Sequence, residues 1–185
     1  AFHVPLQSGC DRLLTAMHRG YSSVDYLNRI AAIRSGRPGS VFTTDVIVGF
    51  PGEGDDDFAA TRQVMETVGF EMAYVFKYSP RDGTKAASLA DDVPQEVKEA
   101  RNQLLLQDLA ARSEAANQKR MGTEVGVLVE GPSKRNAARW TGRSRTGKVC
   151  IFDPAPDTTA GDIVTIRVTR ATANSLYGTL APVPD

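Results

Sequence analysis

Cysteine is nearly absent from this sequence of 185 residues: only Cys10 and Cys150 occur, far apart along the chain. Histidine is as scarce, and His3 and His18 form no metal-binding pattern with the cysteines. These residues cannot by themselves assemble an iron–sulfur or zinc site. Each cysteine reads as a small, partly buried thiol, which suits a reducing compartment. No apolar run is long enough to cross a membrane, and the amino terminus AFHVPLQSGC is neither basic nor signal-like, so a cytoplasmic protein is expected. A polar lead is missing too. Phe2-His3-Val4-Pro5-Leu6 reads as strand from the first residues, and the expectation is a chain cut from a longer one.

What is present is ordinary for a globular protein: 41% apolar and 24% charged residues, enough for a real core in one large or two small domains. The formal net charge is zero but uneven. Residues 1–121 hold 14 basic and 16 acidic residues, whereas residues 122–185 hold 8 and 6. Within residues 131–149 stand Lys134, Arg135, Arg139, Arg143, Arg145 and Lys148 without one acid, a candidate anion-binding face.

The first part alternates strands and helices. Residues 2–7 read as a strand; residues 11–19 carry Leu13, Leu14 and Met17 at helical spacing; Ser22 or Ser23 can cap a further helix running to Gly36. The nearly continuous apolar run at 41–50 suits a parallel strand covered on both faces, with Asp45, Ile47 and Gly49 on one face and Val46, Val48 and Phe50 on the other. Asp55, Asp56 and Asp57 favour the first turn of a helix closed by Gly69, and residues 70–78 form another strand before the turn at 79–84. Three strands cannot close a barrel, so the remaining strands would lie upstream. One long helix spans residues 94–121. After Gly122 five short strands, at 124–130, 137–142, 148–152, 162–171 and 175–180, fit a small β-barrel of the oligonucleotide-binding kind.

Three segments, HVPLQSGCDRLLTAMHRGY, TDVIVGFPGE and FKYSPRDGTKAA, resemble in order and spacing the last barrel motifs of the radical S-adenosylmethionine (SAM) methylthiotransferases. The tail, with LVEGPSK, TGRSRTGKVCIF and NSLYGTL, resembles the TRAM domain of the same family, and Gln7-Ser8-Gly9 is closer to its tRNA-modifying branch. The resemblance covers residue 3 to about residue 180. It implies a partial (βα) TIM-like radical-SAM barrel with a connecting helix over residues 1–121, then an all-β, OB-like TRAM barrel over 122–185. It also implies a transferase that adds a methylthio group to C2 of an isopentenylated adenosine next to the anticodon. The sister substrate is a threonylcarbamoyl-adenosine, and a non-catalytic RNA-binding module is the reading from another class. The implied cofactors are SAM and two 4Fe-4S clusters. The cluster cysteines, including a CxxxCxxC set, are absent here, so the chain is expected to catalyse nothing alone. Its partners would be the tRNA anticodon stem-loop and the missing amino-terminal part of the same protein, in a monomer.

Ligands of a parallel barrel sit at the carboxyl ends of its strands, where Gln7 falls before a Ser-Gly turn. A neutral amide there can bond ribose or adenine groups. By resemblance Gln7 and Asp45 match positions that hold the cofactor's ribose hydroxyls, and Arg19 one that contacts its methionine carboxylate. Asp45 could instead be a structural carboxylate bonded to backbone amides, and Arg19 a solvated partner of its own helix end. Gly49 and Gly52 would let the backbone approach the cofactor; Glu53 reads as a helix cap or a ligand contact, and Arg81 as a turn or a substrate-facing residue. GFPGE is not a phosphate loop, because it lacks GxxxxGK and three acids follow it. In the basic stretch, Arg139-Trp140 with Arg143, Arg145 and Lys148 supplies cations for phosphates and a ring for stacking, although alternation also allows Trp140 to be core.

Overall fold

In the computed structural model, which describes residues 1–182, the chain divides into two compact units, residues 2–109 and 110–182. The first is organised by three parallel strands in the order β1 (Phe2–His3), β2 (Phe42–Val48), β3 (Met72–Lys77). Helices α1 (Asp11–Ala16), α2 (Ser23–Gly36) and α3 (Asp55–Val68) connect them. Even-numbered positions of β2 bury Phe42, Val46 and Val48 in a core with Leu6, Ile30, Met65 and Phe70. Each fully buried side chain of this size contributes about 1.5–3 kcal/mol over its exposed state.

Local chemistry explains the ends. Ser22 accepts a bond from the Asp25 amide at 3.1 Å while Asp25 bonds back to the Ser22 amide, a reciprocal cap that starts α2. Gly69 ends α3 in the left-handed region, φ 68°. α1 stops at Ala16, short of the expected residue 19, because His18 turns into the left-handed region at φ 55°. The expectation that β2 is covered on both faces does not hold. Asp45 and Ile47 stay half-buried, and on the same face of β3 Met72, Tyr74 and Phe76 are exposed, the two rings 6.4 Å apart.

Helix α4 (Gln95–Gln118) enters both units, which divide at residues 109 and 110 rather than at Gly122. The cause is hydrogen bonding: Ser113 Oγ donates to the Ala173 carbonyl at 2.6 Å, and Asn117 Nδ2 donates to that of Thr172 at 2.7 Å. The last turns of α4 therefore belong to the second unit. Its five strands, β4 (Glu124–Ser133), β5 (Asn136–Ser144), β6 (Val149–Asp153), β7 (Ile163–Ala171) and β8 (Ser175–Leu180), close a barrel in the order β4-β5-β6-β8-β7. Closure leaves no open sheet edge. Val127, Cys150, Phe152, Ile166 and Leu176 fill its interior. The expected domain limit at residue 185 lies outside the described residues. Among those described, no helix is long and apolar enough to cross a membrane.

Candidate functional site

The parallel strands of the first unit end at a cavity of about 630 Å³. Gln7 after β1, Asp45 and Ile47 of β2 and Phe76 of β3 line it, so three of the expected ligand residues, Gln7, Asp45 and Arg19, meet at one place. Gln7 is held there against a local preference. Its φ is 68°, a region costing a non-glycine residue about 1–2 kcal/mol. Two bonds to β2 compensate: its amide donates to the Asp45 carbonyl at 2.8 Å, and its carbonyl accepts from the Ile47 amide at 2.9 Å. Among the described residues the Gln7 side-chain amide has no hydrogen-bond partner, and Gln7 and His18 are the two non-glycine residues with positive φ. Both line the cavity, and strained backbone of this kind concentrates at binding sites.

Asp45 is not bonded to backbone amides. Its carboxylate is 28% exposed, with His3 Nε2 at 3.4 Å. The Arg19 guanidinium makes no ion pair among the described residues, so it is not tied to its own helix. Lys77 of β3, paired with Glu99, and Arg81 and Lys85 after that strand complete a rim of four cations against one acid. The cavity suits a ligand with anionic and hydroxyl groups.

Gly49 does not line the cavity. The space a Cβ would fill there is taken by Lys98 Cγ, so the close approach is to α4 rather than to a ligand. Its φ of 70° also breaks the strand alternation, which turns Phe50 into the cavity instead of the opposite face. The Phe50 ring meets Tyr78 edge-on at 5.2 Å, and Lys98 Nζ lies 5.4 Å from the Tyr78 centroid. Glu53 neither caps α3 nor reaches the cavity. It is buried, accepts from the Gly49 amide at 2.6 Å and from Arg101 Nη1 at 2.8 Å, and burial, against these bonds, pushes its pKa up. The cap is Asp57, which accepts from the Gly54 amide at 2.8 Å. Burial opposes ionisation of Asp57, but bonds from Cys10, Gly54 and Arg12 hold its pKa below the usual range. Sequence reading missed Lys98 and Arg101; two cations one turn apart on a long helix were their only trace.

Cys10 Sγ donates to Asp57 Oδ1 at 2.8 Å, and burial followed by that bond raises its pKa. Burial pushes Cys150 up to about 11. These two thiols do not fit the ligand set of an iron–sulfur cluster, and among the described residues no group of His, Cys, Asp and Glu could hold a metal ion.

In the barrel, the basic stretch divides into three. Lys134, Arg135 and Arg145 are exposed in turns and have no carboxylate partner among the described residues. Arg139 and Arg143 face out from β5, yet antiparallel pairing brings acids that the linear stretch lacks: Arg139 Nε lies 2.9 Å from Asp153 and Arg143 Nε 3.3 Å from Glu130. Lys148 is corrected as a contact residue, because it is buried with Nζ donating to Ser113 Oγ at 2.8 Å. Trp140, in register with Phe152, packs against the barrel core rather than offering a free ring.

The TRAM domain family matches residues 118–181. The whole chain is similar to curated proteins named tRNA-2-methylthio-N(6)-dimethylallyladenosine synthase. The one from Opitutus terrae is 51% identical over 178 residues, 96% of this chain and 37% of the relative. That from Akkermansia muciniphila is 47% identical over 180 residues, 97% and 39% respectively. That from Moorella thermoacetica is 43% identical over 176 residues, 95% and 39%. The chain thus spans less than two fifths of the length of these relatives.

Proposed function

This chain belongs by sequence to the tRNA methylthiotransferase family, and we propose from that premise that it is the piece of such an enzyme that supplies part of the SAM site and a tRNA-binding barrel. The observation that carries the reading is the convergence of Gln7, Asp45 and Arg19 on one cavity at the strand ends. Asp45 and the free amide of Gln7 are of the right chemistry for ribose hydroxyls, and the unpaired Arg19 for a methionine carboxylate. SAM bound there would supply, with clusters carried elsewhere in the protein, the radical that takes the hydrogen from adenine C2, and a second SAM would supply the methyl group. This chain's own residues bind and orient. Phe50 and Tyr78 form an apolar wall, while Arg81 and Lys85 offer charge to the phosphates flanking a target base.

In this reading β1, β2 and β3 are the last strands of a longer TIM-like barrel. The exposed row Met72, Tyr74 and Phe76 is the face such a barrel would enclose. The protein would act in the cytoplasm as a monomer on the anticodon stem-loop, modifying an isopentenylated adenosine.

The test uses the full-length protein with reconstituted clusters, given tRNAs carrying either isopentenylated or threonylcarbamoyl-adenosine in competition, with nucleosides read by mass spectrometry. Methylthio product on the isopentenylated tRNA supports the reading. Product on the other tRNA alone reassigns the substrate, and none on either refutes the function.

A further inference from the structure

The outer surface of the barrel carries a row that the basic stretch does not predict. Register aligns Thr141 of β5 with Ile151 of β6, Ile151 with Tyr177 of β8, and Tyr177 with Arg170 of β7. Cys150, Phe152, Ala171 and Leu176, neighbours in sequence, are buried inside, so this row faces outward. Tyr177 and Ile151 are half-buried at its centre. The Arg170 guanidinium lies 3.7 Å from the Tyr177 ring centroid, and that of Arg139 lies at 5.8 Å. Arg139 is anchored by Asp153, but Arg170 has no carboxylate partner among the described residues. Arg143 and Arg167 flank the row, each tied to a glutamate of β4.

We propose that this face, centred on the Arg170–Tyr177 stack, is the surface on which the barrel holds single-stranded RNA, with an unpaired base stacked on the Tyr177–Arg170 platform and the backbone following Arg139, Arg143 and Arg170. The proposal rests on the RNA-binding reading above and adds its place. Charge complementarity selects the partner: a guanidinium stacked over a ring presents its own outer face to a base, with the ring holding it in place, and its charge is free for a phosphate. An apolar protein partner would leave the Arg170 charge uncompensated. Duplex RNA offers phosphates but no free base, so it makes no use of the ring. Trp140, turned into the core, cannot serve as the platform, and Tyr177 takes that part.

The test measures binding of the full-length protein to a fluorescent single-stranded RNA of about 12 nucleotides, by anisotropy across a salt series. Tyr177→Leu should weaken binding about ten-fold with the salt slope unchanged, Tyr177→Phe should bind as wild type, and Arg170→Gln should lower the slope by about one. Thermal melts of each variant confirm folding. Wild-type binding with Tyr177→Leu equally tight would overturn the stacking platform while leaving RNA binding by the barrel intact. A loss with Arg170→Gln alone would reduce the face to a phosphate contact and also overturns the platform. No binding by the wild-type protein overturns both this proposal and the reading it rests on.

Discussion

Removing the Arg101 guanidinium should be among the most damaging single changes in the first unit. Arg101 Nη1 donates to the Glu53 carboxylate at 2.8 Å and to its carbonyl at 3.0 Å, and the Glu53 side chain is wholly buried while that of Arg101 is 8% exposed. The second ion pair, to Asp55, involves a carboxylate that is 99% exposed and contributes little. Arg101→Met keeps an unbranched apolar stem but leaves the Glu53 charge with only the Gly49 amide, while the Glu53 Oε1 already lacks a partner. Stranding a buried charge in this way costs about 3–5 kcal/mol. The sign of the pH dependence follows from Glu53, whose folded pKa burial raises above the ordinary value. A carboxyl so raised favours folding at low pH, and that contribution is lost as pH rises through its folded pKa. Losing Arg101 raises that pKa further, so the deficit of the variant should be larger at about pH 7.5 than at about pH 5. Urea unfolding at both pH values, followed by tryptophan-independent circular dichroism, reads the midpoint shift, expected at about 1 M or more near neutrality. Glu53→Gln combined with Arg101→Met should recover much of the loss. A variant within about 0.5 kcal/mol of wild type at both pH values, or a double variant that merely adds two losses, would refute the reasoning.

Gly49→Ala should destabilise by at least about 2 kcal/mol, from the left-handed backbone and the overlap with Lys98 Cγ, as a lowered thermal midpoint; an unchanged midpoint would mean α4 yields freely. Both thiols should label slowly in the native protein at about pH 8, Cys150 the slower because burial holds it at about 11, and both rapidly in denaturant. Asp57→Asn should speed native labelling of Cys10, since it removes the carboxylate that accepts the thiol hydrogen bond; equal rates would dismiss that bond. Lys148→Gln should lower barrel stability and leave the RNA salt slope alone, whereas Arg145→Gln should lower the slope by about one with little change in stability.

Much of the fold was legible because strong local signals agreed with the tertiary structure. The acids at 55–57, Gly69 and the Ser22 cap bounded their helices as their chemistry requires, and all five barrel strands appear where the turn residues separated them. The alternation along β2 placed Asp45 and Ile47 correctly but failed at Phe50, since one left-handed glycine redirects every side chain beyond it. Nothing local could reveal that Glu53 answers to Arg101, 48 residues away, or that Lys148 is buried against Ser113. The same limit made residues 131–149 look more cationic than they are: their balancing acids, Glu130 and Asp153, lie just outside the stretch and meet it only through strand pairing. Tyr177 and Arg170 went unnoticed for the converse reason, being neighbours in register and not in sequence.

The most direct test of the account is SAM binding to the full-length protein, measured by calorimetry for wild type and Asp45→Asn. A carboxylate that is 28% exposed and holds two ribose hydroxyls should contribute enough that its neutral isostere binds about ten-fold more weakly, with unfolding unchanged. Equal affinity in the two proteins, or no SAM binding by the wild type, would contradict the assignment of this cavity.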